Sequence, residues 1–375
     1  MSGIAGTTGP SDYGMMSGLI SGASTVRQEL DQLTEQASSG LISNTYAGLG
    51  TGASVSLDIR PQITAMQTWQ NNIDASTGRT SVTQTAMTQI QSIASNFYAQ
   101  LNNVDGTNAS AVDGIAASAR DALTQMAGLL DTQDGGIYVF AGQDTANPPV
   151  PDPNNILTSG FYTQINAAVT GLATSGAAAT ANATFGVATS NAAGTSPFST
   201  YLSQPAATLL TQLPTVQVGQ NSSAPVGLLA SANSLIPASA STGPAIAGGP
   251  ATTTGSYMRD VMRALATIGS LSSSSQASVP GFQDLVQDTR TSLSGAVSAM
   301  GQDAGVLGNI QKSLTATQSS LADTQTALTS QVSSAEDVDM AATLSRLSLV
   351  QTQLQGSYQL IAGMSGLSLA KFLPA

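Results

Sequence analysis

The chain has 375 residues, enough for two or three domains with cores of their own, yet only 8% of its residues are charged. An ordinary soluble domain carries roughly 25%. Cysteine and histidine are absent, which excludes disulfides, thiolate zinc sites and Ser–His or Cys–His nucleophilic pairs. The net charge is −11, and the chain has too few lysines and arginines to form the cluster of cations that binds phosphate groups. We therefore expect no nucleic-acid partner, no catalytic, cofactor or metal site, and no enzymatic activity.

The first half of the chain predicts two helices of very different length. Apolar residues at Val26, Leu30, Leu33 and Ala37 repeat every three or four positions, and the repeat stops before Gly40. This pattern predicts a short amphipathic helix. After turn-rich residues 43–56 the same spacing resumes and continues for more than ten turns, which predicts one long helix from about residue 56 to about residue 103.

A β-prone stretch, GGIYVFAGQDTANPPV at residues 135–150, follows a third predicted helix. We expect Gly135 and Gly136 to end that helix and a strand or hairpin to begin after them. Beyond it, no charged residue occurs from Pro153 to Met258. The segment is rich in Ala, Ser, Thr and Gly with short β-prone pieces, which favours a folded, β-rich outer domain over the alternative of a low-complexity disordered linker. A hydrolase site within it would lack every usual acid or base.

The second half returns to helical spacing near Tyr257 and continues with a heptad of leucines at positions 307, 314, 321 and 328. A heptad requires a partner helix, and the long N-terminal helix is the expected one. A second apolar series then begins at Met340. Between the two series, Ser333 and Ser334 precede Glu336 and Asp337 at capping-box spacing, which predicts a junction between two helices.

These patterns predict a mainly α fold. The expected architecture is a folded-back long-helix rod, with paired N- and C-terminal helices packed like a coiled coil and a β-rich outer domain inserted in the middle. The predicted domains are a terminal helical inner domain (1–42 and 338–375), a rod domain with a β-hairpin (43–150 and 256–337) and the uncharged outer domain (151–255).

The terminal helices carry more apolar residues than they can cover within one chain. The short N-terminal stripe is too small to bury the whole C-terminal series, so neighbouring subunits would supply the missing surface. The predicted assembly interface consists of Val26, Leu30, Leu33, Met340, Leu344, Leu347, Leu354, Tyr358 and Ile361.

Two phrases at opposite ends of the chain resemble the flagellin and hook-associated family of bacterial flagellar axial proteins. Near the N-terminus, QASSGLISNTYAGLGTGASVSLDIRPQI (36–63) has the family's Ser-Gly turn at Ser39 and Gly40 and its arginine at Arg60. Near the C-terminus, AEDVDMAATLSRLSLVQTQLQGSYQLIAGMSGLSLAKFL (335–373) is similar to the family's terminal helix. It has an acidic start at Glu336, Asp337 and Asp339 and a closing motif at 368–373.

Within that family, the β-prone stretch is similar to members at the hook–filament junction, through Tyr138, Phe140 and Gly142. The resemblance implies a structural protein that joins hook to filament through self-assembly of its terminal helices. Its implied partners are further copies of itself, a neighbouring hook-associated protein, flagellin and a cytosolic flagellar export chaperone. The alternative within the family is flagellin proper, the filament subunit.

The expected location is the extracellular flagellum. The N-terminal residues have no basic region followed by a continuous apolar core, and no stretch reaches the ~18 apolar residues of a membrane span. We therefore expect no membrane insertion. By resemblance, the protein would be secreted without a cleaved signal peptide through the flagellar type III apparatus.

Overall fold

Helices account for most of the computed structural model, which describes residues 11–104, 109–236, 243–273 and 279–370. The predicted mainly α fold is confirmed, with long helices towards both ends of the chain. The helices are α1 (Ser11–Ser39), α2 (Gly52–Leu101), α3 (Ala109–Leu130), α4 (Gly160–Thr170), α5 (Leu172–Thr189), α6 (Ala206–Thr211), α7 (Tyr257–Gly269), α8 (Phe282–Glu336) and α9 (Met340–Ala370). The strands are β1 (Gln133–Asp134), β2 (Ile137–Tyr138), β3 (Thr215–Gly219) and β4 (Ser222–Pro225).

The chain divides into two compact units, and each is described by itself below. The terminal unit consists of residues 1–66 and 322–375, and the central unit of residues 67–321. The division crosses α2 and α8, so each of these helices contributes to both units. The three-domain division expected from the sequence stays a prediction. Residues 1–10 and 371–375 of the expected inner domain, and with them the close of the 368–373 motif, lie outside the described residues.

The two N-terminal helices agree with the sequence pattern in type, and α2 also agrees in length. α2 begins four residues before the predicted start and ends two residues before the predicted end. α1 begins at Ser11, fifteen residues before Val26. Its first half contains Gly14, Gly18 and Gly22, which have low helix propensity and add nothing to an apolar stripe. α1 packs against α9, and among the side chains described in this half Ala23 is buried while most of the others are exposed.

In the central unit the leucine heptad of α8 packs on α2, as the spacing predicts. Leu307 and Leu314 are buried, and Leu314 shares a small apolar cluster with Ile73 of α2. Further along the pair, the Gln91 side chain donates to the Val297 carbonyl at 3.2 Å. The long N-terminal helix is therefore confirmed as a partner of α8 in this unit.

Gly135 and Gly136 form a β-turn, so the prediction that they end a helix is wrong. α3 already ends at Leu130, and β1 pairs antiparallel with β2, with Asp134 opposite Ile137. The two glycines between them have φ values of 57° and 84°. A two-residue hairpin loop with positive φ at both positions matches the twist of its strands, and glycine adopts it at little cost. A hairpin does form here, but it begins at Gln133, before the two glycines rather than after them.

The uncharged middle segment contains less β structure than we expected. Its strands are the short hairpin β3–β4, whereas α4, α5 and α6 together cover many more residues. The description "β-rich" is therefore corrected to a small β-containing region. Alanine-rich stretches such as residues 177–188 have high helix propensity, and this outweighs the scattered β-branched residues. Val218 of β3 packs against Ile73 and Leu314.

The charges that organise this segment come from α7, which is buried along its whole length. Arg259 donates to the carbonyls of Ser231 at 2.9 Å and Ala188 at 2.8 Å, and to the Asn191 side chain at 2.7 Å. Its guanidinium also lies 5.0 Å from the centre of the Phe198 ring. Burial lowers the pKa of Arg259 to about 10, so it stays protonated at neutral pH. The Arg259 cation thus joins separate parts of a segment that has no charged residue of its own.

The junction before α9 is capped by a different residue from the one predicted. α8 continues through Ser333 and Ser334 to Glu336, so these serines cap no helix. Asp339 is the cap of α9, because its carboxylate accepts from the amides of Ala341 at 2.9 Å and Ala342 at 3.1 Å. The predicted junction is confirmed, and its capping-box assignment at the serines is wrong.

Candidate assembly surface

α1 and α9 pack as an antiparallel pair in the terminal unit. Arg346 of α9 forms an ion pair with Glu29 of α1 at 2.8 Å, and an antiparallel bridge joins Leu41 to Asp337 where the two helices meet the loops. The pair buries few side chains on its own. Those buried between the helices or beside them are Ala23, Leu33, Thr343 and Val350.

Nearly all of the large apolar side chains that are exposed to solvent lie in this unit. Of the nine that the described residues expose, eight belong to the terminal unit, and Tyr98 is the exception. Single exposed apolar residues are normal, but a concentration on one part of a protein marks an interaction site. The eight are Ile20, Tyr46, Leu57, Met340, Leu344, Leu349, Tyr358 and Leu360.

The exposed residues of α9 stand on two sides of the helix. At about 100° per residue, Met340, Leu344 and Tyr358 fall within about 40° of one another, and Leu349 and Leu360 fall on nearly the opposite side. The buried Thr343 and Val350 mark the side that faces α1. We call the first set flank A and the second set flank B. α1 therefore covers one side of α9 and leaves an apolar flank on each side of the contact.

The residues predicted for the assembly interface fall into three groups of exposure. Leu33 is buried, whereas Met340, Leu344 and Tyr358 are exposed, with Leu344 and Tyr358 at 50% each. The remaining residues are half-buried, and they are Val26, Leu30, Leu347, Leu354 and Ile361. The sequence pattern missed flank B, because Leu349 and Leu360 do not belong to the 3–4 series that starts at Met340.

Several family-motif residues meet where α8 gives way to α9. Glu336 is buried, and its carboxylate accepts hydrogen bonds from the Ser56 hydroxyl and from the Arg60 guanidinium, whose Nε lies 3.0 Å away. These bonds, with that from Arg60 the largest cause, lower the pKa of Glu336. Ser39 and Gly40 lie at the end of α1, and the Gly40 carbonyl accepts from Val338 N at 3.0 Å.

The motif at 138–142 connects the β1–β2 hairpin to the uncharged segment. Phe140 is fully buried in the central core, and Tyr138 is half-buried. The Phe140 carbonyl accepts from Ala230 N at 3.0 Å. Gly142 has a φ of 65°, and a Cβ there would lie 2.7 Å from the Leu229 Cδ2 atom. These residues therefore have structural roles in the central unit.

The buried carboxyl groups of the central unit also serve the fold. Asp260 accepts from the Thr253 hydroxyl at 2.6 Å and Thr254 N at 2.8 Å, and Asp303 accepts from the Tyr257 hydroxyl at 2.9 Å. Burial raises the pKa of Asp260 to about 6. Neither group is open to a dissolved substrate. The residues that the structure describes include no group of three or more acidic side chains placed to hold a metal ion.

Within the described parts of the chain, no helix combines the length and apolarity needed to cross a membrane. Besides its two apolar flanks, α9 also carries glutamine, serine and threonine residues.

Comparison with known proteins agrees with this architecture of paired helical ends. Residues 11–145 match the family model for the bacterial flagellin N-terminal helical region, and residues 291–373 match that for the C-terminal helical region. No curated protein matches the chain. Because the two matched regions together cover more than half of its residues, the chain belongs to the bacterial flagellin family. This is a structural, non-enzymatic family of the extracellular flagellum, and its members assemble into polymers.

Proposed function

We propose that this protein is an axial subunit at the hook–filament junction of the bacterial flagellum and that it assembles through α9. The observation that carries the assembly proposal is the pair of apolar flanks left open on α9. Large apolar side chains that stand open to water on two sides of a helix favour contact with other surfaces that cover them. The α1 contact covers one side, and neighbouring copies would cover the other two.

The two flanks differ in composition, which favours a head-to-tail arrangement. Flank A has methionine, leucine and tyrosine, whereas flank B has two leucines eleven positions apart. A surface that meets a different surface on the next copy generates a ring or an open helix, while a self-complementary surface closes a dimer. Contact of flank A with flank B of a neighbour would therefore build the circular or helical layer that an axial structure needs.

Paired substitutions on each flank test this assembly. Leu344→Gln with Tyr358→Gln removes flank A, and Leu349→Gln with Leu360→Gln removes flank B. The matched controls are Thr352→Ser and Gln359→Ser, exposed polar positions on the side of the helix between the two flanks. Burying one large apolar side chain stabilises a contact by roughly 1.5–3 kcal/mol, so each double variant should raise the critical concentration for assembly more than tenfold. Sedimentation measures this, and normal assembly of both double variants would overturn the proposal.

The position at the junction rests on the Tyr138, Phe140 and Gly142 motif, which resembles that of hook–filament junction members. Immunolabelling of isolated hook-filaments tests it directly. A band confined to the hook–filament boundary supports the junction assignment, with a hook-associated protein and flagellin as neighbours. Deletion of the gene should then leave hooks in place and release flagellin into the medium.

The second candidate is the filament subunit, which is equally compatible with the matches to both flagellin helical regions. A filament subunit would be labelled along the whole filament, and its deletion would remove filaments altogether. The same two experiments therefore separate the candidates.

We also propose export by the flagellar type III apparatus, without signal cleavage and with a cytosolic chaperone that holds α9 between Leu344 and Ile361. The exposed apolar flanks of α9 support this, since they need cover before assembly. Mass spectrometry of the secreted protein should find an uncleaved N-terminus. A pull-down from cytosol should lose the chaperone when both flanks are substituted.

A further inference from the structure

Glu336 is the meeting point of four stretches of the terminal unit. Its carboxylate accepts from Ser56 and from two nitrogens of Arg60, both on the first turns of α2. Its backbone carbonyl accepts from Ile42 N at 2.6 Å, in the loop after α1. We call Ser56, Arg60 and Glu336 the Glu336 cluster. A single residue at the end of α8 is therefore bonded both to α2 and to the loop that follows α1.

The backbone around the cluster continues this set of bonds to the start of α9. Val338 N donates to the Gly40 carbonyl at 3.0 Å, two residues after Glu336. On the other side, the first residue of α2 is Gly52, and a Cβ there would lie 2.8 Å from the Ala335 carbonyl oxygen. The close approach leaves no room for a side chain. The contacts around Glu336 therefore join four segments to one another: the end of α1, the start of α2, the end of α8 and the start of α9.

A second ion pair in the same unit provides a contrast. Arg346 and Glu29 join α1 to α9, but their side chains are 67% and 37% exposed. An exposed pair of this kind contributes little, because solvent screens it. The Glu336 side chain is 9% exposed, although that of its partner Arg60 is 54% exposed, and its carboxylate accepts from two side chains at once. A buried carboxylate is costly unless it is fully paired, so its partners are held in fixed positions.

We propose that Glu336 and Arg60 are positioning residues that set the orientation of α9 relative to α1, so that flanks A and B are presented to neighbouring copies in one fixed geometry. The part concerning neighbours rests on the proposed assembly function. The orientation itself does not, because every contact that supports it lies within one chain. The substitution of either residue should leave α1 and α9 helical while loosening the turn between α8 and α9.

Hydrogen exchange on the monomeric full-length chain tests the orientation. The amides of Ile42 and Val338 report directly on the cluster, since they donate to the Glu336 and Gly40 carbonyls. Glu336→Gln should accelerate exchange at both amides about tenfold or more, through local opening. The matched control is Glu29→Gln, which removes the exposed pair and should change the same amides less than about twofold. Equal effects of the two variants would overturn the proposal.

Charge reversal separates positioning from a general loss of stability. Arg60→Glu and Glu336→Arg should each open the turn, and the double variant should restore slow exchange at Ile42 and Val338. If the double variant exchanges as fast as either single variant, the pair has no positioning role. Ser56→Ala is a milder change that removes one donor and gives a smaller acceleration. It keeps the test decisive should a charge-reversed variant fail to fold.

Assembly of the same variants extends the test to neighbouring copies. Wild-type protein is first shown to assemble by sedimentation, and Glu336→Gln should then assemble at least tenfold less well while Glu29→Gln assembles normally. If the wild type itself does not assemble, the proposed function fails and the exchange result still stands. If Glu336→Gln opens the turn yet assembles normally, the link between orientation and assembly is wrong.

Discussion

The terminal and central units bury their apolar side chains to very different extents. The central unit has one large core that includes all of α7 and fully buried residues such as Phe140 and Leu293. The terminal unit has a few buried positions along α1, α2, α8 and α9 and exposes eight large apolar side chains. The central unit therefore covers its apolar side chains within one chain, whereas the terminal unit leaves apolar flanks open to solvent. Under the proposed function, the central unit provides stability and the terminal unit provides association.

The largest expected difference between the units concerns truncation of an apolar side chain. Phe140→Ala should lower the free energy of unfolding of the central unit by about 3–5 kcal/mol, because Phe140 is fully buried and leaves a cavity. Leu360→Ala in α9 should cost less than about 1 kcal/mol in the monomer, because Leu360 is 63% exposed. Urea denaturation followed by circular dichroism measures both. Similar losses would show that α9 is buried in the monomer after all.

The second difference concerns pH, and it has opposite signs in the two units. The pKa of Asp260 is raised to about 6 by burial, against hydrogen bonds from Thr253 and Thr254 and the charge of Arg263. The folded state therefore binds a proton more tightly than the unfolded state, and the central unit should gain stability as the pH falls from about 7.5 towards 5. Protonation of Asp260 should contribute about 1–1.5 kcal/mol of this gain. Denaturation across this range measures it, and Asp260→Asn should remove only the part that comes from Asp260, because burial also raises the pKa of Asp131 to about 6 and raises the pKa values of Asp288 and Asp303.

In the terminal unit, the pKa of Glu336 is lowered from its ordinary 4.5, mainly by the hydrogen bond from Arg60. A lowered folded-state pKa means that the stabilisation is present above the ordinary value and is lost as the pH falls through the lowered one. Exchange at Ile42 N and Val338 N should therefore be slow near neutral pH and, after correction for intrinsic rates, faster in strong acid. Loss of protection in both units over the same pH range would contradict the opposite signs.

A smaller effect is expected at Gly142, where the central unit leaves no room for a side chain. Gly142→Ala combines a positive φ with a clash against Leu229, so it should cost about 1–3 kcal/mol. The control is Gly128→Ala in α3, where nothing lies within 4 Å of the added Cβ. That change should be neutral or should stabilise by up to about 1 kcal/mol, because alanine has the higher helix propensity. Thermal denaturation compares the two variants. If Gly128→Ala were as destabilising as Gly142→Ala, the loss at Gly142 could not be attributed to its positive φ and the clash with Leu229.

The smallest effect is expected at the exposed ion pair of the terminal unit. Replacing Glu29 and Arg346 together by glutamine should change the unfolding free energy of the monomer by less than about 0.5 kcal/mol. High salt should have a similarly small effect on the wild type, since screening already weakens this pair. A clearly larger loss, measured by urea denaturation in low salt, would mean that the pair is shielded from solvent.

Local patterns in the sequence were sufficient to predict much of the helical architecture. The 3–4 spacing located α2 to within four residues, and the leucine heptad identified α2 as a partner of α8. Patterns of this kind work because each helix needs an apolar stripe wherever it packs. The start of α1 was missed because Gly14, Gly18 and Gly22 have low helix propensity and leave no apolar stripe to detect.

The contacts between distant positions could not be predicted in this way. Arg60 and Glu336 were both recognised as motif residues, yet they lie 276 positions apart, and nothing in either neighbourhood signals that they pair. Flank B was missed because Leu349 and Leu360 stand outside the dominant series. The sequence of the uncharged segment likewise gives no local sign that it is bound by two arginines of α7, Arg259 and Arg263.

That dependence on α7 has a practical consequence for protein engineering. A foreign peptide displayed in place of the uncharged segment would leave Arg259 without the Ala188 and Ser231 carbonyls and without the Phe198 ring. The resulting buried cation would destabilise the scaffold however well the insert itself folds. A transplantable cassette therefore has to extend through Gly269, so that α7 is exchanged together with the segment whose carbonyl groups it binds.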